Sequence, residues 1–470
     1  MFKNMSIKTR LLLLMIIPTT VIFIFASMVV KRQFDISENM DKLYNLSVLN
    51  TKISLLVHET QKERGFTAGY IGSLGKKFGV ELNKQRDVTG SKFKDLQKFL
   101  LSAQLTNINK EVNDNLNNAI SQLENVHQIR SKVDSLNIST KNALSYYTNI
   151  NSNLLQTITS TVKVSNNPDI TKDIVSFSNF LLSKEGAGVE RAVGASTFSN
   201  DKFATGMKIK VISIIAEQKA YMNNFLQYSN KISSEYYYNT LNNSAVKEVE
   251  SMRNKLLSKN DNFTVDPEYW FKQMTIKINL LKNVDDFLAE QLINKVENLK
   301  LSSSQNFVYS LILALSAIFI SMIFGIFTNR NISKSLVSLN NGILNLSNTS
   351  NTSVNKIELE SRDEIKQIAD NFNKYIQKVE AGLAQDQLVI SEVNDVVAKV
   401  KSGFFSYNIK QNANNEGINE LKNSMNDMIA DLNDKLSNII QALMKFGHGN
   451  FVNELDIGNA GGSIGSIAAG

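Results

Sequence analysis

The sequence predicts an all-α chain anchored in a membrane. Three observations carry this: two uncharged apolar runs of about 20 residues, apolar residues elsewhere recurring at steps of three and four, and only three prolines in 470 residues. Cysteine is absent, which removes disulfides, thiolate metal sites and thiol nucleophiles and fits either side of a membrane. The net charge of +7 is thin for this length and gives no ground for a nucleic-acid surface.

The elements follow in chain order. Residues 1–10 form a basic tail with Lys3, Lys8 and Arg10, and residues 11–30 form the first span, with Pro18 tolerable inside a membrane helix. Cleavage as a signal peptide is disfavoured, because Ala26-Ser27-Met28 is a poor small-residue site. Residues 307–327 form the second span. Arg330 and Lys334 follow it, so the basic residues place both ends in the cytoplasm, against the lesser vote of Lys31 and Arg32. Residues 31–306 then lie together in the periplasm, and the chain is expected in the inner membrane as a two-span protein. A large outer block joined to a helical inner one is the topology of a transmembrane receptor with a periplasmic helical-bundle sensor.

In the outer block, Leu43, Leu46, Leu49, Ile53, Leu56 and Val57 mark one helix face, and proline occurs only at Pro168 and Pro267. Asparagine-rich stretches at 113–118 and 149–153 are weak helix formers and are expected to include helix ends. Two segments stand apart: QKERGFTAGYIGSLGKKF from Gln61 and SKEGAGVERAVGASTF from Ser183. Each sets a Glu-Arg pair, Glu63-Arg64 and Glu190-Arg191, among small residues, which suggests an internal pseudo-repeat. Glycine inside a helix costs ~1 kcal/mol relative to alanine, so Gly65, Gly69 and Gly72 imply close approach of another helix or a ligand.

Counting turns places Arg64 with Ile53, Val57, Thr60, Ala68 and Ile71, and Arg191 with Phe177, Phe180, Ala187, Gly188, Gly194, Ala195 and Phe198. A guanidinium on such a face must be paired with something negative. Two readings follow. Either Arg64 and Arg191 converge on a small oxyanion, or Glu63 and Glu190 cross-pair with the opposite arginines as a structural network.

At these residues the chain resembles the nitrate- and nitrite-sensing domain family, an all-helical extracytoplasmic module of bacterial receptors and regulators. The match is best at 61–73, with a second family-like segment at 184–195. The resemblance implies that paired arginines from separate helices, here Arg64 and Arg191, bind nitrate, nitrite or another small anion, with the interface of a homodimer as one place for the site. Family members that bind nitrate well use further arginines; here Lys62 lies beside the motif but about 100° around the helix.

The inner block reads as paired short helices. Ile332, Leu336, Leu339, Ile343 and Leu346 lead through a polar connector to Ile365, Ile368, Phe372, Ile376 and Val379, with Asp363-Glu364 placing acidic residues at a helix start. This resembles the HAMP relay domain, a parallel dimeric coiled coil, with Asp363-Glu364-Ile365 matching its motif and Ser335 standing where that family often has proline. A first unit is assigned to 328–382. A second, at 383–437, runs from Val393, Val397 and Val400 through Gly403-Phe404-Phe405 to Glu416-Gly417-Ile418, Leu421, Met425, Met428 and Leu432. A constant offset of 46 residues places Gly449, Phe451, Leu455, Ile464 and Ile467 on Gly403, Phe405, Ile409, Ile418 and Leu421, so 438–470 is expected to be a partial third unit, truncated at Gly470.

No enzyme is expected and no cofactor is implied. His58, His127 and His448 lack metal-ligand spacing and read as surface or packing residues, and no phosphate loop, nucleophile elbow or zinc-protease motif is present. Trp270 is assigned to packing. Arrays of HAMP-like units joined to such a sensor resemble the methyl-accepting chemotaxis receptors, which implies a chemotaxis kinase and adaptor as partners through a further C-terminal region. The input half of a sensor histidine kinase or another HAMP-linked signalling enzyme is the alternative.

Overall fold

The computed structural model describes residues 5–103, 109–348, 356–452 and 461–469. Lys3 of the basic tail and Leu455 of the third repeat lie outside the described residues. The described residues are helical almost throughout and hold no strand; a single isolated bridge joins Lys202 and Asp261. The chain divides into two compact units, 22–317 and the combination of 1–21 with 318–470.

The first of these units is a helical bundle. Its helices are part of α1 (Ile7–Gly72), α2 (Gly79–Ser102), α3 (Lys110–Glu124), α4 (Val126–Asp134), α5 (Thr140–Ser160), α6 (Pro168–Ser199), α7 (Met207–Tyr228), α8 (Lys231–Leu241), α9 (Ser244–Ser258) and part of α10 (Pro267–Asn348). Proline appears where helices begin. Pro168 and Pro267 are the first residues of α6 and α10, where a missing N–H costs nothing. The α1 face from Leu43 to Val57 is buried as its spacing predicts, against Phe177, Phe180, Ile150, Leu154, Leu281 and their neighbours in one continuous core.

Asparagine behaves differently from expectation. The runs at 113–118 and 149–153 lie inside α3 and α5 rather than at helix ends. The amphipathic burial of Leu116, Ala119, Ile150 and Leu154 outweighs a propensity cost of under ~1 kcal/mol per residue. Asparagine instead caps helices elsewhere: Asn109, Asn167, Asn230 and Asn243 each accept a hydrogen bond from a first-turn backbone N–H.

Both apolar runs are helical and turn their large side chains outward, with Leu14, Phe25, Phe319 and Phe324 all about two-thirds exposed. Within the second unit, Thr19 and Ser321 share a hydrogen bond at 3.0 Å and Gly325 lies against Met15, so the two runs touch through small and hydroxyl residues.

The helix-linker-helix pattern after the second run recurs in three dimensions. Asp363 caps α11 (Glu364–Lys401) by accepting from the N–H groups of Ile365 and Lys366, as its place in the sequence predicts. Asn373 of α11 brackets the linker residue Ile357, accepting from its N–H and donating to its carbonyl, both at 2.9 Å. Asn426 of α12 (Glu416–Gly447) does the same to Ile409, at 2.9 and 3.0 Å. Small cores form under each linker: Leu339, Ile357 and Ala369 in one, Val389, Val396, Ile409, Ala413 and Ile429 in the other. Gly403 and Gly449, 46 residues apart, both take the left-handed conformation (φ 89° and 80°). Their N–H groups bond to Val400 and Phe446, and the next residues bond to Lys399 and Lys445, the same glycine-terminated helix end in each repeat. The expected limits at 382/383 and 437/438 fall inside the continuous helices α11 and α12. A short helix, α13 (Gly462–Ala469), ends the described chain.

Candidate functional site

Arg64 on α1 and Arg191 on α6 are both buried, 3% and 6% exposed. Each guanidinium reaches across to a glycine of the other helix. A Cβ on Gly188 would stand 2.8 Å from Arg64 Nη2, and one on Gly65 would stand 2.7 Å from Arg191 Nη2. The two glycines therefore make room for two crossed arginines. Gly69 has a different neighbour, the Phe78 ring, and Gly72 has nothing within 4 Å, so no close approach explains that third glycine.

The two arginines are not equally satisfied. Arg64 Nη1 donates to Glu185 Oε1 of α6 and, at 3.0 Å, to Thr148 Oγ1 of α5, while Nη2 reaches Glu185 Oε2 at 3.4 Å. Gln61 and Asn151 donate to the same Glu185 carboxylate. Arg191 Nη1 donates to Thr275 Oγ1 of α10 at 3.0 Å, and its guanidinium lies 4.7 Å from the centroid of the Phe271 ring. Among the described residues no carboxylate lies within ion-pair distance of Arg191. Burial, then repulsion from Arg64, push its pKa down to about 10, with Glu185 opposing. Arg64 is thus near enough for its charge to act on Arg191. Trp270, fully buried against Gly194, donates its indole N–H to the Arg191 carbonyl at 3.0 Å and ties this turn of α6 to α10.

The cross-pairing of Glu63 and Glu190 with the opposite arginines does not occur. Glu63 takes Arg130 Nε and Nη2 at 2.8 Å each, with the Tyr147 hydroxyl at 2.7 Å. Glu190 takes Arg253 and the Gln218 amide. Burial acts to raise the Glu190 pKa, but Arg253 outweighs it and holds the group below the usual carboxylate range. The reason is rotational: Glu63 and Arg64 are about 100° apart around α1, so one residue faces α4 and α5 while the other faces α6.

A pseudo-repeat underlies these contacts. An offset of 127 residues carries Glu63 to Glu190, Arg64 to Arg191, and the hydroxyl partner Thr148 to Thr275. The same offset carries His58 to Glu185, and there the symmetry breaks. Where the second repeat offers a carboxylate to Arg64, the first offers an imidazole. His58 is buried, its Nδ1 has no hydrogen-bond partner, and burial followed by Lys184, Lys282, Lys62 and Arg191 pushes its pKa down to about 2. Lys184 is fully buried and neutralised by Asp285, which also accepts from Ser54 Oγ at 2.6 and 2.8 Å. Two guanidiniums against one carboxylate leave a single uncompensated positive charge. The arrangement can hold one small monovalent oxyanion, with paired N–H donors and hydroxyls to orient it.

The structure brings Arg64 and Arg191 together, as the sequence reading expects, and adds Glu185, Thr148 and Thr275 as their partners, which that reading lacks. The repeat spacing is the signal that reaches the threonines.

A family model described as nitrate and nitrite sensing matches residues 55–293. Over 268 residues the chain is 22% identical to a nitrate regulatory protein of Klebsiella oxytoca, a stretch covering 56% of this chain and 66% of that protein's own length. The structure of the NasR transcription antiterminator superposes with a TM-score of 0.53 at 18% identity, covering 74% of this chain and 94% of that one, a likeness of fold.

Proposed function

Since the chain belongs to the nitrate and nitrite sensing family, we propose that Arg64 and Arg191 bind a small monovalent oxyanion, nitrate or nitrite, and that this binding is the input of a transmembrane receptor. The observation that carries the reading is the pair of crossed guanidiniums, of which Arg64 holds a carboxylate and Arg191 does not, with one positive charge left over. A buried cation lacking a counter-ion costs several kcal/mol, and an anion recovers that cost. Titrating the full chain with sodium nitrate, sodium nitrite and sodium chloride by calorimetry tests this. Nitrate or nitrite binding that is lost in Arg64→Gln and Arg191→Gln is expected; unchanged binding in both variants contradicts it.

The relay runs along α10. That helix carries Thr275 and Phe271, which hold Arg191, and continues through the second apolar run. An anion that draws Arg191 biases the position of α10, and small helix displacements are a common way to couple a sensor to distant helices. The helix-linker-helix repeats that follow, with their paired Asn373–Ile357 and Asn426–Ile409 brackets, support a tandem HAMP-like relay, and a homodimer is what that resemblance implies. We read the whole protein as non-enzymatic in this part and as a chemotaxis receptor acting through a kinase and adaptor. A sensor kinase input half is the second member of the same class.

The outward apolar faces of both runs support the membrane reading. A different class, a regulator acting on nucleic acid, is supported by the printed name of the antiterminator of like fold. These 470 residues hold no cysteine, so single cysteines discriminate the two. A membrane-impermeant maleimide should label Ser258→Cys in intact spheroplasts and Ser424→Cys only after lysis. Equal protection of both sites places them on the same inner side and favours the nucleic-acid regulator.

A further inference from the structure

Glu185, its side chain 13% exposed, is placed differently from the buried carboxylates of the bundle. Glu63, Glu190 and Asp285 each hold a cation that belongs to no anion seat: Arg130, Arg253 and Lys184. Glu185 alone among these binds one of the two crossed arginines, and it also gathers the Gln61 and Asn151 amides, leaving Arg191 to feel it from a distance. Its repeat equivalent, 127 residues earlier, is the neutral His58.

We propose that Glu185 is a built-in counter-anion that fills the Arg64 half of the seat, so that the Arg191 half accepts one negative charge and no more. The carboxylate sets the charge class of the ligand and keeps its affinity low enough to respond to changing concentration. His58 leaves the Arg191 half without a carboxylate of its own. By the 127-residue offset, a carboxylate at that position would stand to Arg191 as Glu185 stands to Arg64, and so would fill the Arg191 half; the charges of Lys184, Lys282, Lys62 and Arg191 all act on this position. The seat is thus a four-position electrostatic arrangement, Arg64, Arg191, Glu185 and residue 58, in which the last two decide how much positive charge is on offer. This rests on the proposed reading of the two arginines as an anion site.

The test is calorimetry on the full chain in detergent, with sodium nitrate and sodium sulfate as probes, on the wild type, Glu185→Gln, His58→Glu and Arg191→Gln. Removing the Glu185 charge exposes a second unit of positive charge in a partly buried site, where Coulomb terms are strong. Glu185→Gln should bind nitrate at least about tenfold more tightly and gain sulfate binding that the wild type lacks. His58→Glu should lose nitrate binding while keeping its helical circular dichroism, and it decides the matter alone should Glu185→Gln not fold. A folded Glu185→Gln that binds nitrate no more tightly than wild type, or a folded His58→Glu with wild-type affinity, overturns the role of Glu185. Arg191→Gln with wild-type affinity is a separate outcome: it removes the anion site itself and this proposal with it.

Discussion

Gly65 of α1 lies directly against the guanidinium of Arg191 on α6, with only 2.7 Å between Arg191 Nη2 and the point a Cβ would occupy. That gap is what lets a buried arginine cross from one helix to the other. The neighbour is the far end of a flexible side chain, so an alanine displaces the guanidinium rather than the backbone. Gly65→Ala should cut nitrate affinity by about tenfold or more. The melting temperature should hardly move, because the better helix propensity of alanine, ~1 kcal/mol, offsets the crowding. Calorimetry and thermal melting on the same preparation separate the two effects.

Gly194 and Gly72 make a contrasting pair. A Cβ on Gly194 would fall 2.5 Å from the Trp270 ring, which is fully buried and bonded to the Arg191 carbonyl. Gly194→Ala should destabilise the bundle by ~1–3 kcal/mol through overpacking. Gly72, with nothing nearby, should tolerate alanine at no cost or gain up to ~1 kcal/mol. Thermal melting of the two variants checks the sign of each.

His58 predicts an acid-sensitive bundle. The imidazole has its ordinary value of 6.5 in the unfolded chain and is pushed down to about 2 in the folded one, by burial and then by the surrounding cations. Below pH 6.5 the unfolded chain takes up a proton that the folded chain refuses. The stability from this group is therefore complete above pH 6.5 and falls as the pH drops towards 2, by up to ~1.4 kcal/mol per unit. His58→Asn should flatten the fall in melting temperature between pH 6.5 and 5, above the range where most carboxylates titrate. An identical acid limb in the variant would assign the effect elsewhere.

Glu190 and Arg253 should matter for folding rather than for the ligand. Glu190 is fully buried and Arg253 nearly so. Glu190→Gln removes the buried carboxylate and leaves Arg253 only the exposed Glu250, at 3.3 Å, and should cost ~3 kcal/mol, read as a lowered melting temperature. Saturating nitrate should not restore it, because Arg253 faces Glu190 and Gln218 rather than the seat.

Much of this architecture is legible in the residues. The three- and four-residue spacing of Leu43 to Val57, the prolines at helix starts, the Asp363 cap and the repeated Gly403 and Gly449 all follow from local chemistry and recur in the structure. The need of Arg64 and Arg191 for a partner is legible too, because charge among small residues on an apolar face demands one. The identity of that partner is not. Glu185 stands in the quoted motif beside Arg191, yet it pairs with Arg64, and that depends on the register of α1 against α6, which periodicity along one helix does not fix. The same register decides against the second of the two readings, in which Glu63 and Glu190 cross-pair with the opposite arginines. The asparagine runs misled because propensity is weak beside burial.

The most direct test of the account is a double-mutant cycle on nitrate affinity, comparing wild type, Arg64→Gln, Arg191→Gln and the double variant, each checked for retained helical circular dichroism. If both guanidiniums hold one anion, the double variant should lose no more affinity than the worse single one, a strong departure from additivity. Losses that simply add, or single variants that bind nitrate as the wild type does, would contradict a shared seat between Arg64 and Arg191.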